Sequence, residues 1–143
     1  MTRDIDFIIL LEAKNVDFFV NSFKEGFYCD RDAVKEAMDG PVKMFNIIDH
    51  ETGYKADFVV LKDDPFRLEE FKWRLKVSYF GKTVYVVSPE DLLISKLIWI
   101  QDLQSAVQIE DIKSLVIVDN LDWEYISKWV KQLKLRSFDL INR

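Results

Sequence analysis

The chain has 143 residues, 49% hydrophobic and 31% charged, a composition typical of one soluble globular domain. Its formal net charge of −5 argues against non-specific nucleic-acid binding through a basic surface, and its single cysteine, Cys29, excludes an internal disulfide. No apolar run approaches the roughly 20 residues of a membrane-spanning helix. We therefore predict a cytoplasmic protein with no membrane partner.

Apolar patterning and turn residues predict the elements of the first half. Residues 5–11 are short, β-branched and apolar on both faces, as in a buried strand. Two helices follow, over residues 16–25 and 32–38. A hairpin of strands 44–51 and 54–62 closes through a Thr52-Gly53 turn.

The second half begins with a helix over residues 64–73, where Asp64 is the N-cap and Pro65 the first helical residue. A second hairpin consists of strands 74–79 and 83–87, which are joined by a turn at Phe80-Gly81-Lys82. The remaining elements are three helices: residues 88–103 with Ser88 as N-cap, 109–118, and 123–133 with Asp122 as N-cap.

This order of elements predicts an α/β (α+β) fold in which helices flank a mixed β-sheet and the C-terminal third is helical. We expect a single domain over residues 1–143, with a sheet-containing core at 1–88 and a helical part at 89–143.

Three aspartates interrupt apolar strands. Asp4 and Asp6 are two residues apart, so they share one face of the first strand. Converging carboxylates repel one another unless a cation lies between them, and Mg²⁺ is a common choice. The alternative is an ordinary pair of strand-edge residues. Asp57 lies in the middle of another strand, where it is costly to bury unless a lysine, an arginine or a metal ion pairs with it.

A two-residue turn at Thr52-Gly53 predicts which residues oppose one another in the first hairpin. Ile48 would lie opposite Asp57 and His50 opposite Lys55, so that His50, Lys55 and Asp57 share one face. The alternative for His50, beside a turn, is a solvated polar side chain.

Lys96 interrupts a helix that is apolar nearly all round. Such a lysine either extends to the surface or has a fixed anion beside it. The anion could be a bound phosphate or a protein carboxylate such as Asp111.

Several stretches carry a resemblance to a known family. The first strand reads TRDIDFII, and the others are MFNII at 44–48, GYKADFVVLKDDPF at 53–66, SPEDLLISKL at 88–97 and QIEDI at 108–112. Together they resemble the DNA polymerase β-like nucleotidyltransferase superfamily, over roughly residues 2–135. Within that superfamily, the chain resembles a branch of small prokaryotic proteins that are distantly related to AbiEii-type toxins.

This resemblance implies a Mg²⁺-dependent transferase that moves a nucleoside monophosphate from an NTP to a hydroxyl of RNA, protein or a small molecule. It implies that Asp4, Asp6 and Asp57 ligate Mg²⁺, that Asp57 can also act as a general base, and that Lys96 contacts the nucleotide phosphates. It also suggests a place in a toxin–antitoxin pair.

The superfamily carries a Gly-Gly or Gly-Ser phosphate loop, with its strand and helix, before the D-x-D strand. Only Met1, Thr2 and Arg3 precede Asp4 here, so we expect this segment to be missing. A misassigned start codon, a truncation or a loss of transferase activity would each explain that. The last leads to a second hypothesis, a catalytically inactive binding or interaction module that forms homo-oligomers through the uncovered surface.

Overall fold

The computed structural model describes residues 4–61 and 64–141, and of Asp4 it describes the backbone alone. Within these residues none of the helices combines the length and the apolar character needed to cross a bilayer. The strands are β1 Asp4–Ile9, β2 Phe27–Cys29, β3 Met44–Asp49, β4 Lys55–Val60, β5 Leu75–Tyr79 and β6 Lys82–Val86. The α-helices are α1 Val16–Asn21, α2 Arg31–Asp39, α3 Pro65–Lys72, α4 Pro89–Trp99, α5 Ala106–Val116 and α6 Trp123–Gln132, and a 3₁₀ turn, Ala13–Asn15, precedes α1.

The predicted fold class is confirmed: the chain is a mixed α+β protein whose C-terminal part is helical. It divides into two compact units, residues 1–68 and 69–143, whose boundary lies inside α3. The second hairpin thus belongs with the C-terminal helices. That the two units form one domain stays a prediction.

The first unit is built on a four-stranded sheet of order β1-β4-β3-β2, in which β1 runs parallel to β4 and the other pairs are antiparallel. One face of the sheet packs against α1 and α2. Phe45, Ile47, Phe58 and Val60 are buried there. The helices contribute the buried Val16, Val34 and Ala37 to the same core.

The register of the β3–β4 hairpin differs from the predicted one by two residues: Asn46, not Ile48, lies opposite Asp57. The cause is Asp49, whose carboxylate accepts hydrogen bonds from the Thr52 hydroxyl at 2.7 Å and the Glu51 amide at 2.9 Å. These bonds lower the pKa of Asp49. They stabilise a longer loop, so the predicted two-residue turn was wrong.

Other differences from the predicted elements are local. The short strand β2 was not predicted, since three residues carry too little pattern. Helix α1 ends at Asn21 and α4 at Trp99, both earlier than predicted, whereas α5 begins earlier, at Ala106. The second hairpin turns through two residues and pairs Tyr79 with Lys82.

The second unit packs α5 and α6 against α4. Helix α4 begins as predicted, with the Ser88 hydroxyl accepting a hydrogen bond from the Asp91 amide at 3.1 Å. The Asp91 carboxylate is itself buried and accepts hydrogen bonds from Ser88 Oγ at 2.9 Å and Tyr125 Oη at 2.7 Å. Burial raises the pKa of Asp91, and burial together with the Asp91 bond raises the pKa of Tyr125.

Candidate functional site

Three residues with side-chain oxygens lie side by side across the sheet of the first unit. Asp6 on β1 is the register partner of Asp57 on β4, and Asp57 is the register partner of Asn46 on β3. Neighbouring strands are about 4.8 Å apart, and register partners project to the same face of a sheet. We call Asp6, Asp57 and Asn46 the acid row.

A row of phenylalanines on the opposite face explains this alignment. Phe7, Phe58 and Phe45 are also register partners. The Phe58 ring stacks on Phe7 at 4.9 Å and on Phe45 at 5.3 Å between centroids. Each is the sequence neighbour of a member of the acid row. Because side chains alternate between faces, a slip of one residue would put the acids into the apolar core. Burial of Phe45 and Phe58 therefore fixes the acid row.

Lys55 supplies positive charge beside the acid row. Its Nζ lies 3.1 Å from Asp57 Oδ2, and the Asp57 side chain is 17% exposed whereas that of Lys55 is 39% exposed. Lys55 and Asp57 are two residues apart on β4 and share a face. The ion pair that the sequence left open as an alternative for Asp57 is therefore present.

Asp4 begins β1, and its backbone lies in register with Lys55. The predicted role of the Asp4 side chain as a metal ligand falls outside the described residues. Within the described part of the chain, no three side chains of the types His, Cys, Asp and Glu are grouped so that they could hold a metal ion. The described acid row thus provides two carboxylates, from Asp6 and Asp57, and one amide.

The chemistry of these donors fits a hard divalent cation. Carboxylate and amide oxygens are ligands of Mg²⁺, which usually keeps several waters and binds through one or two carboxylates plus substrate phosphates. Asp6 is exposed and Asp57 partly buried, so the row faces solvent. Asp6, Asp57 and Asn46 are the described residues that would hold such an ion.

Asn46 was not predicted from the sequence, because the expected register put Ile48 beside Asp57. A signal was present nonetheless. Asn46 is a polar residue between the buried Phe45 and Ile47, just as Asp57 precedes the buried Phe58. A polar interruption in each of two adjacent core strands indicates a shared polar face, whichever register is assumed.

His50 does not lie in line with the acid row. It follows the end of β3, its side chain is exposed, and its amide donates a hydrogen bond to the Gly26 carbonyl at 2.9 Å. The predicted pairing of His50 with Lys55 was wrong, and the solvated alternative describes the residue.

Lys96 belongs to the second unit, where it is only 8% exposed. Its Nζ lies 2.9 Å from Asp111 Oδ2, and the ammonium is 5.0 Å from the centroid of the Trp99 ring. Of the two anions that the sequence allowed beside Lys96, a phosphate or a protein carboxylate, the carboxylate of Asp111 is therefore present. A role of Lys96 in phosphate binding stays a prediction.

Comparison with known proteins assigns no family to this arrangement. No protein-family model matches the chain, and no curated protein matches it significantly.

Proposed function

We propose that the protein is a Mg²⁺-dependent nucleotidyltransferase that transfers a nucleoside monophosphate from an NTP to a hydroxyl acceptor. The observation that carries this proposal is the register of β1 and β4, which makes Asp6 and Asp57 direct neighbours on one face of the sheet. Two carboxylates on adjacent strands repel one another and attract a divalent cation.

Asp6 and Asp57 would hold the metal, with Asn46 as a neutral oxygen donor and Asp4 as the further ligand implied by the sequence pattern. When bound, Mg²⁺ neutralises charge on the phosphates and holds them for in-line displacement. The chain has a net charge of −5, so a triphosphate needs such local positive charge to approach this surface.

Asp57 would also orient the acceptor. Its carboxylate is partly buried on a central strand of the sheet, so its position is restricted more than that of an exposed aspartate. A carboxylate held in this way can accept a hydrogen bond from the attacking hydroxyl and take its proton. Lys96, whose Nζ is ion-paired with Asp111, would contact the nucleotide phosphates. The acceptor would be a hydroxyl of RNA, protein or a small molecule.

Pyrophosphate release from labelled NTPs tests this function whichever hydroxyl acceptor the protein uses. The full chain is incubated with Mg²⁺, each of the four NTPs, and RNA, protein or small-molecule hydroxyl acceptors. We expect Mg²⁺-dependent release in the wild type, its loss in Asp6→Asn and its retention in Asp39→Asn, an exposed aspartate at the end of α2. Release that Asp6→Asn leaves unchanged would refute the role of the acid row.

The ion pair between Lys55 and Asp57 favours a second candidate, a nucleotidyltransferase-like binding module without catalytic activity. There Lys55 would balance the charge of Asp57 permanently and no metal would be needed. This candidate predicts no pyrophosphate release with any acceptor and no Mg²⁺-dependent binding of NTP. Mg²⁺-dependent NTP binding that Asp4→Ala abolishes would count against it.

A further inference from the structure

Lys55 lies where a cation bound to the acid row would have to compete with it. Its register partner on β1 is Asp4, and its side chain reaches Asp57, the next residue on the same face of β4. Asp57 in turn is flanked by Asp6. One ammonium group thus lies on the face of the sheet where two carboxylates are adjacent.

The chemistry of lysine allows this position to be temporary. An ammonium group on a four-carbon stem is a flexible point charge that can leave a carboxylate without moving the backbone. Lys55 is also the more exposed member of the pair, 39% against 17% for Asp57, so its head group can move into water. The carboxylate, fixed on a central strand of the sheet, stays in place.

We propose that Lys55 is a built-in counter-ion of the acid row, which neutralises Asp57 in the metal-free protein and is displaced from it when a divalent cation binds. This inference rests on the proposed function, because it takes the acid row to be a metal site. It makes Lys55 a positioning residue that sets the metal affinity by competition and is not itself a metal ligand.

Metal titration of the full chain tests the competition directly. Mg²⁺ and Mn²⁺ affinities are measured calorimetrically at fixed ionic strength for the wild type and Lys55→Met, which keeps an unbranched side chain and removes the charge. We expect Lys55→Met to bind either cation roughly threefold to tenfold more tightly, since a partly exposed ion pair contributes only modestly. Lys55→Arg, which keeps a positive charge, should show no such gain.

Lys35→Met is the matched control for net charge. Lys35 is exposed on α2, which packs on the opposite face of the sheet, so its removal alters the total charge equally without touching Asp57. We expect the metal affinity of Lys35→Met to stay within about twofold of that of the wild type, because salt screens the interaction between exposed charges on opposite faces of the sheet. An equal gain in Lys35→Met would overturn the proposal.

A double-mutant cycle shows whether Lys55 acts through Asp57. In an Asp57→Asn background, Lys55→Met should give little or no further gain in affinity, because the competing pair is already broken. A second readout is thermal unfolding: Mg²⁺ should raise the Tm of Lys55→Met more than that of the wild type.

The outcomes separate the two proposals. If wild type and Lys55→Met bind metal equally, Lys55 does not compete and the inference fails, while the metal site stands. If neither binds metal, the proposed function fails and the inference fails with it. If Lys55→Met binds more weakly, Lys55 supports the bound ion and does not oppose it, which also overturns the inference.

Discussion

Phe58 is the residue on which the alignment of the acid row depends most. Its side chain is 7% exposed, and besides Phe7 and Phe45 its ring contacts Phe19 at 5.8 Å and Phe23 at 6.3 Å between centroids. Phe58→Ala should lower the free energy of unfolding by about 3–5 kcal/mol, because a cavity would open among these rings. Chemical denaturation followed by circular dichroism measures this change.

Phe18→Ala is the control for Phe58→Ala. Phe18 lies in α1 and is 78% exposed. Its truncation should alter the free energy of unfolding by less than about 0.5 kcal/mol. Equal effects of the two substitutions would show that the phenylalanine row is not the centre of this core.

Asp91 makes the stability of the protein depend on pH in a defined direction. Its pKa is raised above the ordinary 3.8 because burial outweighs the stabilising hydrogen bonds from Tyr125 and Ser88. The folded state therefore binds the Asp91 proton more tightly than the unfolded state does, and this contribution to stability grows as the pH falls toward 3.8.

Asp91→Asn provides a reference that does not titrate at this position. We expect the free energy of unfolding of the wild type, minus that of Asp91→Asn, to increase as the pH falls through the raised pKa of Asp91 toward 3.8. Denaturant titrations of both proteins at each pH measure the difference. A difference that shrinks on acidification would mean that the hydrogen bonds outweigh burial and lower the pKa of Asp91.

At the scale of elements, the β5–β6 hairpin carries conformational strain in its turn. Phe80 and Gly81 have φ angles of +47° and +72°, as a two-residue turn with positive φ at both positions requires. Phe80 is 87% exposed, so its ring gains little from burial. Phe80→Asn should stabilise the hairpin by about 0.5–1 kcal/mol, because asparagine tolerates this conformation better.

Amide hydrogen exchange of the β5 and β6 residues measures this local effect. Phe80→Ala is the control, since it also removes the ring contact with Tyr79, 4.6 Å between centroids, but lacks the side-chain amide that lets asparagine hydrogen-bond locally at positive φ. We expect exchange to slow in Phe80→Asn only. Unchanged exchange there would mean that the strain is negligible beside the lost ring contact.

The sequence predicted most elements because strong local signals mark their ends. Asp64, Ser88 and Asp122 cap helices as expected, each through a side-chain oxygen that accepts a backbone amide hydrogen bond. The register of the first hairpin could not be predicted in the same way. It depends on whether Asp49 bonds to its own loop, and Asp49 looks the same in the sequence in either case.

At the scale of the whole molecule, the predicted site residues fall in both compact units. Asp6 and Asp57 are register partners in the first unit, a pairing of β1 with β4 that the sequence analysis did not predict. The sequence did not place Asn46 beside Asp57, because the register of the β3–β4 hairpin depends on the Asp49 loop. Lys55, two residues from Asp57 on the same strand, was already predicted to share its face. The sequence allowed either a protein carboxylate or a bound phosphate as the anionic partner of Lys96. In the second unit this partner is the carboxylate of Asp111.

We expect the acid row of the first unit to bind a divalent cation, and the proposed function depends on this binding. Calorimetric titration of Mn²⁺ into the full chain, with Asp6→Asn and Asp39→Asn in parallel, tests this claim most directly. We expect saturable binding in the wild type and Asp39→Asn, and binding at least about tenfold weaker in Asp6→Asn, since a charged ligand is lost. Equal binding by Asp6→Asn and the wild type, or no binding by either, would contradict the claim.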